Sequence, residues 1–396
     1  MKRAFAILSA AAALLFVSCK KAEVSKLEIQ PLTHLAPQHL NLTKAQADMT
    51  VGINDFAYDM YREVFEDKDV FISPFSMSLA LSMLTTGADG NTAEQLLSAL
   101  GFEGRTAEDL DAYYSAVLGN MAASDPSTSL SIANAIWSDK TIALKSQFME
   151  NCRNYFDSEA ASVDFSDPAT LNILNDWTYE HTGGKIDRMY DELPDGTAAV
   201  LANALHFKAT WPFDFLRSND RLLAKVTTTY YEGDGFSAVQ LPYGNGTYAM
   251  RIIQPAEGTS LKSMVEKLDG EFFNHASREA AIVTLDIPVF SFSYESHLNE
   301  ALKSLGVEDA YSPMTADFSK MSDDQLYVGD MLHKTFVDVN EKGTEASAIT
   351  AITMLLNATG KEKTPREVDF KVTRDFIFEI IDRSTNLIVF IGQHKL

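Results

Sequence analysis

The chain has 396 residues, 46% of them hydrophobic and 22% charged, which suits a soluble globular protein with one large domain or two ordinary ones. A formal net charge of −22 leaves no basic excess to neutralise phosphates and argues against nucleic acid as a partner. Two cysteines, Cys19 and Cys152, leave no room for a disulfide framework.

Lys2 and Arg3 precede an apolar run from Ala4 to Val17. That run is too short to span a bilayer as a stable helix, so residues 1–18 are expected to be an export signal. Phe16-Val17-Ser18-Cys19 resembles a bacterial lipoprotein box. The resemblance implies a lipid on Cys19 and a chain anchored to a membrane of the bacterial cell envelope; plain secretion with a free Cys19 is the alternative. Residues 19–42 carry Lys20-Lys21, Pro31 and Pro37 without a clear period and are expected to be a tether. A single domain is expected over 43–396.

Within it, Ile53, Phe56, Ala57, Met60 and Val64 form a helical stripe. Ser73 caps and Pro74 opens a helix that is apolar nearly all round and should be buried. Thr92-Ala93-Glu94-Gln95 fits a capping box, with Gly101 as the stop. Residues 130–137 alternate as a strand, and 145–156 read as a helix in which Cys152 is a small packed residue. A helix opens at Asp167-Pro168 and ends at Gly183-Gly184. Strands are expected over 197–207, 225–231, 236–242, 247–254, 282–287 and 289–294, with short helices near 261–268 and 298–305. A strand over 326–339 and three closing strands (367–372, 376–381, 388–391) complete the chain. Helices in the first half and strands in the second, without βα alternation, give an α+β class.

The last long strand passes Gly343 into Thr344-Glu345-Ala346-Ser347-Ala348-Ile349-Thr350-Ala351-Ile352. Thr344, Ala346, Ala348, Thr350 and Ile352 share one uncharged face at strand spacing and suit a buried strand. Yet the run leads into Met354-Leu355-Leu356-Asn357-Ala358-Thr359-Gly360-Lys361-Glu362-Lys363-Thr364, which reads as an exposed loop. A segment that is loop by its neighbours and buried strand by its pattern suggests two states.

No enzyme motif is present: no Gly-x-Ser-x-Gly, His-Glu-x-x-His, Walker loop or Cys-x-x-Cys, and the eight histidines lack metal-ligand spacing. No metal or other cofactor is expected. Ser73, Ser76, Asn203 and His333 could be drawn as a Ser-His site, but each sits in an apolar stretch, and a buried hydrogen-bond cluster reads better.

Glu341-Lys342-Gly343-Thr344-Glu345-Ala346-Ser347-Ala348, preceded by His333-Lys334, closely resembles the hinge of the serpins. Ser73-Pro74-Phe75-Ser76 through Gln95, Asn175-Asp176-Trp177-Thr178, Thr182-Gly183-Gly184-Lys185-Ile186 and 201–211 also resemble serpin patterns. The resemblance implies the serpin fold, with helices packed on a large central sheet, further sheets and an exposed reactive loop near 341–364. It also implies a peptidase inhibitor rather than an enzyme, a monomer acting as a suicide substrate. Cleavage in the loop would let residues from Thr344 onward, with Glu345, Ser347 and Ile349 on the outer face, insert as a strand. Ser73, Ser76, Asn203 and His333 match positions that hold the central sheet shut; Trp211 matches the tryptophan where the hinge goes in. The bait bond stays open. Counting from Gly343 lands on Asn357-Ala358, and counting back from Pro365-Arg366 lands near Lys361-Glu362. Lys361 and Lys363, the latter before Thr364, suit a trypsin-like serine peptidase, and residues 354–356 suit elastase- or chymotrypsin-like ones; a cysteine peptidase is a further target class. A non-inhibitory binding or carrier protein on the same fold is the competing reading.

Overall fold

The computed structural model describes residues 27–32, 35–156, 158–193, 196–344 and 365–396. In chain order the strands begin with β1 (Ile29–Gln30), β2 (Val70–Ile72), β3 (Thr128–Asp139), β4 (Ser158–Val163), β5 (Ala199–Thr210), β6 (Leu216–Ser218), β7 (Arg221–Gly233) and β8 (Phe236–Pro242). They continue with β9 (Tyr248–Pro255), β10 (Ser277–Pro288), β11 (Phe290–His297), β12 (Leu332–Asn340), β13 (Gly343–Thr344), β14 (Arg366–Lys371), β15 (Phe376–Asp382) and β16 (Ile388–His394). Among the described residues, one sheet has six strands in the order β11-β12-β13-β5-β3-β4. The other has ten, along β14-β10-β7-β8-β9-β15-β16-β2, with β1 and β6 also paired to β7. The class is α+β, as the segregated patterns imply.

Local chemistry starts the helices that support the sheets. Thr43 and Gln46 form a reciprocal capping box at the head of the Lys44–Glu63 helix. Ser73 Oγ accepts from the Ser76 amide, and Pro74 opens the Pro74–Gly87 helix, where no backbone donor is needed. Nearly all of that helix is buried, between β5 of one sheet and β16 of the other. On the outer face of the six-stranded sheet lies the Pro168–His181 helix, capped by Asp167. Its Leu174 and Trp177 pack with Trp137, Val200 and Ala202. The sheet is therefore covered on both faces, and β5 alternates between the two covers.

Three expectations change. Thr92 and Gln95 do not cap a helix: it starts at Gly90, with Asp89 before it and no side-chain cap. Tertiary contacts claim both residues. Thr92 Oγ1 accepts from the Asp317 amide, and Gln95 Oε1 accepts from the amides of Glu308 and Asp309. The strand expected from 326 begins only at Leu332, because the backbone before it bonds to helical neighbours instead of a strand: the Val328 amide donates to the Ala310 carbonyl, the Met331 amide to Asn299 Oδ1. The segment expected as a tether packs on the domain where it is described. β1 pairs with β7, the amides of Gln38 and Leu40 donate to Thr247 and Ser384, and Leu32, Leu40 and Leu42 lie against the core. Cys152 is fully buried in the Ser146–Phe156 helix, and that burial pushes its thiol up to about 12.

Candidate functional site

Two parts of the six-stranded sheet stand out. The first is a polar cluster under its middle. Asn203 on β5 and Asn134 on β3 are direct cross-strand partners, and Asn203 Nδ2 donates to Asn134 Oδ1 at 2.6 Å. Asn134 Nδ2 in turn donates to the Phe156 carbonyl at 2.6 Å. Ser76 Oγ donates to Asn203 Oδ1, which ties both strands to the first turn of the Pro74–Gly87 helix. From β12, His333 Nε2 accepts the Ser73 amide proton at 3.1 Å, and Ser73 Oγ donates to the Val389 carbonyl at 2.8 Å. The Ser73 hydroxyl thus faces a carbonyl and an amide rather than the imidazole, so this is a clamp and not an activated nucleophile. Burial alone holds the His333 imidazole down at about 4, so it is neutral, as an acceptor must be. The cluster joins β3, β5 and β12 to one helix end. Asn134 belongs to it and was not singled out in the sequence, although an asparagine inside an alternating apolar strand was the available signal.

The second part is where Asn340–Thr344 turns back into the sheet. β13 pairs antiparallel with both neighbours: Val339 with Thr344 and Asn340 with Gly343 on one side, Thr210 with Gly343 and Ala209 with Thr344 on the other. Gly343 has φ +150, and a Cβ there would lie 2.0 Å from the Ala209 carbonyl oxygen. Only glycine allows so close an approach. Thr344 is buried and shares a 2.6 Å hydrogen bond with the Tyr243 hydroxyl. Tyr243 stacks on Trp211, ring centroids 4.4 Å apart. Trp211 Nε1 donates to the Asn340 carbonyl at 3.0 Å, and its amide to the Lys342 carbonyl at 3.2 Å. Glu341 pairs with Arg217 at 2.8 Å; the Glu341 backbone amide and the Arg217 guanidinium hold its carboxyl below the usual range. Tyr243 and Arg217 had no signal in the sequence, since both reach Asn340–Thr344 from segments about 100 residues or more away, the turn after β8 and β6.

Because β13 separates them, β5 and β12 run parallel about 10 Å apart at this level, two strand spacings. Farther down, the described residues show no ladder between β5 and β12. A cavity of about 290 Å³ opens between their lower ends, reached by Ser76, Asn203, Leu201, Leu332 and His333. The sheet is thus held together by β13 at one end and by the polar cluster in its middle.

Of the residues picked out in the sequence, Ser73, Ser76, Asn203 and His333 come together, and Trp211, Glu341, Gly343 and Thr344 form the second group. Glu345, Ala346, Ser347, Ala348, Ile349 and Thr350 lie outside the described residues. So do the bond candidates Asn357, Ala358, Lys361, Glu362, Lys363 and Thr364, and the lipidation candidate Cys19. Among the described residues no group of three or more histidine, cysteine or carboxylate side chains could hold a metal ion.

Residues 51–395 match the family model described as serpin (serine protease inhibitor). An uncharacterized serpin-like protein of Thermococcus kodakarensis is 32% identical over 86% of this chain and 84% of its own. The leukocyte elastase inhibitor of Equus caballus is 30% identical over 85% of this chain and 96% of its own. Among solved structures, the thermophilic serpin tengpin in its native state superposes with a TM-score of 0.78 at 28% identity, covering 94% of this chain and 98% of that one.

Proposed function

The chain belongs to the serpin family, and from that membership we propose that it inhibits a peptidase by acting as its suicide substrate. One observation carries the reading: the hinge already enters the central sheet, with Gly343 and Thr344 bonded to β12 and β5 at once. Extending that register two residues at a time sets Ala346 between Val337 and Phe207, and Ala348 between Thr335 and Leu205. Thr350 then falls between His333 and Asn203, a small polar residue over the polar cluster. The sequence at these positions suits the space that β5 and β12 leave.

The chemistry proceeds in two stages. The serine hydroxyl of the peptidase attacks the carbonyl of the bait bond, the C–N bond breaks, and the serine proton leaves on the new amine. The acyl ester keeps the peptidase attached to the loop while the hinge, free at its far end, continues into the sheet. A strand from Thr344 to Asn357 would reach about 45 Å, enough to carry the peptidase across the domain before water attacks the ester. A serine peptidase is the target class; Lys361 and Lys363 favour a trypsin-like one, and residues 354–356 an elastase-like one. The leader and Cys19 support export and a lipid anchor to the cell envelope, with the inhibitor acting as a monomer.

Mixing the chain without residues 1–19 with trypsin, and separately with an elastase, tests the reading on denaturing gels. A covalent band is expected, and the mass of the released C-terminal peptide will identify the bond among Asn357, Lys361 and Lys363. Clean cleavage without such a band across a broad panel of peptidases would leave a binding protein.

A further inference from the structure

We propose that Gln30 is a positioning residue for the hinge, and that β1 sets how readily the central sheet opens. The inference rests on the peptidase-trapping reading above. One side of β7 is taken by β10 along its whole length. The other side is shared: β6 covers residues 221–223 and β8 covers 229–233. Lys225 and Val226 lie between them, and β1 pairs with this stretch in parallel. Without β1 the edge there would be open.

Gln30 does more than end that strand. Its Nε2 donates to the Asp214 carbonyl at 2.8 Å, and its Oε1 accepts from the Asp214 amide at 2.8 Å. One side chain thus grips both backbone groups of a residue 184 positions away. Asp214 lies between Phe213 and Phe215, whose rings pack on Trp211 at 5.8 and 5.6 Å. Trp211 in turn holds the carbonyls of Asn340 and Lys342. Past Phe215 the chain enters β6, where Arg217 pairs with Glu341. Both routes from Asp214 end on the hinge, so fixing Asp214 fixes the two groups that hold the hinge backbone. The grip is also easily released: β1 has only two residues, and Ile29 is 45% exposed.

The test uses the whole chain with Gln30→Ala or Gln30→Glu; the second keeps the shape and loses the donor to the Asp214 carbonyl. Each protein is held without peptidase at one temperature below unfolding, and native gels follow its passage to a loop-inserted form. Trp211→Phe serves as a hinge variant for comparison. Loss of one or two hydrogen bonds should speed conversion on the order of tenfold, whereas Asn54→Ala, which removes a comparable grip on the backbone of Asn386 and Ile388, should lower the urea midpoint without speeding conversion. Conversion at the wild-type rate in both Gln30 variants, with Trp211→Phe faster, would overturn the role of Gln30 and leave the function standing. Conversion speeded equally by Asn54→Ala would reduce Gln30 to a general stabilising contact. If no form ever converts and no peptidase is trapped, the function itself fails, and the inference with it.

Discussion

Replacing Thr344 with arginine is expected to turn the protein from an inhibitor into a substrate. Thr344 is 4% exposed, between Val339 and Ala209, with its hydroxyl on Tyr243. On that face the Thr344 hydroxyl meets the Tyr243 hydroxyl, whose ring stacks on Trp211, and the site is too closely packed to seat a guanidinium. An unpaired buried charge costs about 3–5 kcal/mol, and every 1.4 kcal/mol slows a step tenfold. An arginine here is expected to stay outside the sheet in the uncut protein, so insertion would have to bury it afresh and would slow by a factor of roughly 100 to 4,000 while the bait bond stays accessible. Hydrolysis of the acyl ester then wins. Gels should show loop cleavage at the wild-type rate with the covalent band reduced to about a hundredth. A full covalent band from Thr344→Arg would mean that the hinge need not pass this site.

The second large effect is on stability in acid. His333 titrates near 4 in the folded protein against 6.5 for a free imidazole, because it is buried. The folded state therefore refuses a proton that the unfolded state accepts. Stability from this group is intact above pH 6.5, falls as the pH drops toward 4, and levels off below that. The full loss is about 3 kcal/mol. Below pH 4 the protonated Nε2 can no longer accept the Ser73 amide, so β12 loses its link to the helix beneath it. His333→Gln keeps an acceptor and removes the titration. Urea unfolding of both proteins at neutral pH and near pH 4 should show the variant losing less by about that amount. Equal losses in the two proteins would show that His333 is not the acid-sensitive part of the clamp.

How much of this was legible in the sequence depended on how far apart the partners lie. Elements that carry their own start signals were readable: Ser73 with Pro74 and Asp167 with Pro168 each open a helix within a few residues. The polar cluster was readable in part, because Ser73, Ser76, Asn203 and His333 are polar residues in apolar stretches. Its geometry was not, since nothing local says that His333 meets the backbone amide of Ser73 rather than its hydroxyl. Thr92 and Gln95 show the opposite error. They have capping-box spacing, but partners more than 200 residues away take their hydrogen bonds. Arg251 and Glu379 are another such case, a buried ion pair at 2.9 Å between β9 and β15, whose two segments were read only as strands. Gln30, in a stretch with no period, gave no sign of the Asp214 backbone it holds.

The space between β5 and β12 is expected to receive the loop as a strand. Amide hydrogen exchange along residues 201–209 and 333–339 would be followed before and after a peptidase cuts the loop. Insertion gives these facing edges a new ladder partner, so their exchange should slow markedly after the cut while β15 and β16 stay unchanged. Exchange that is the same before and after cleavage would contradict insertion, and with it the trapping mechanism.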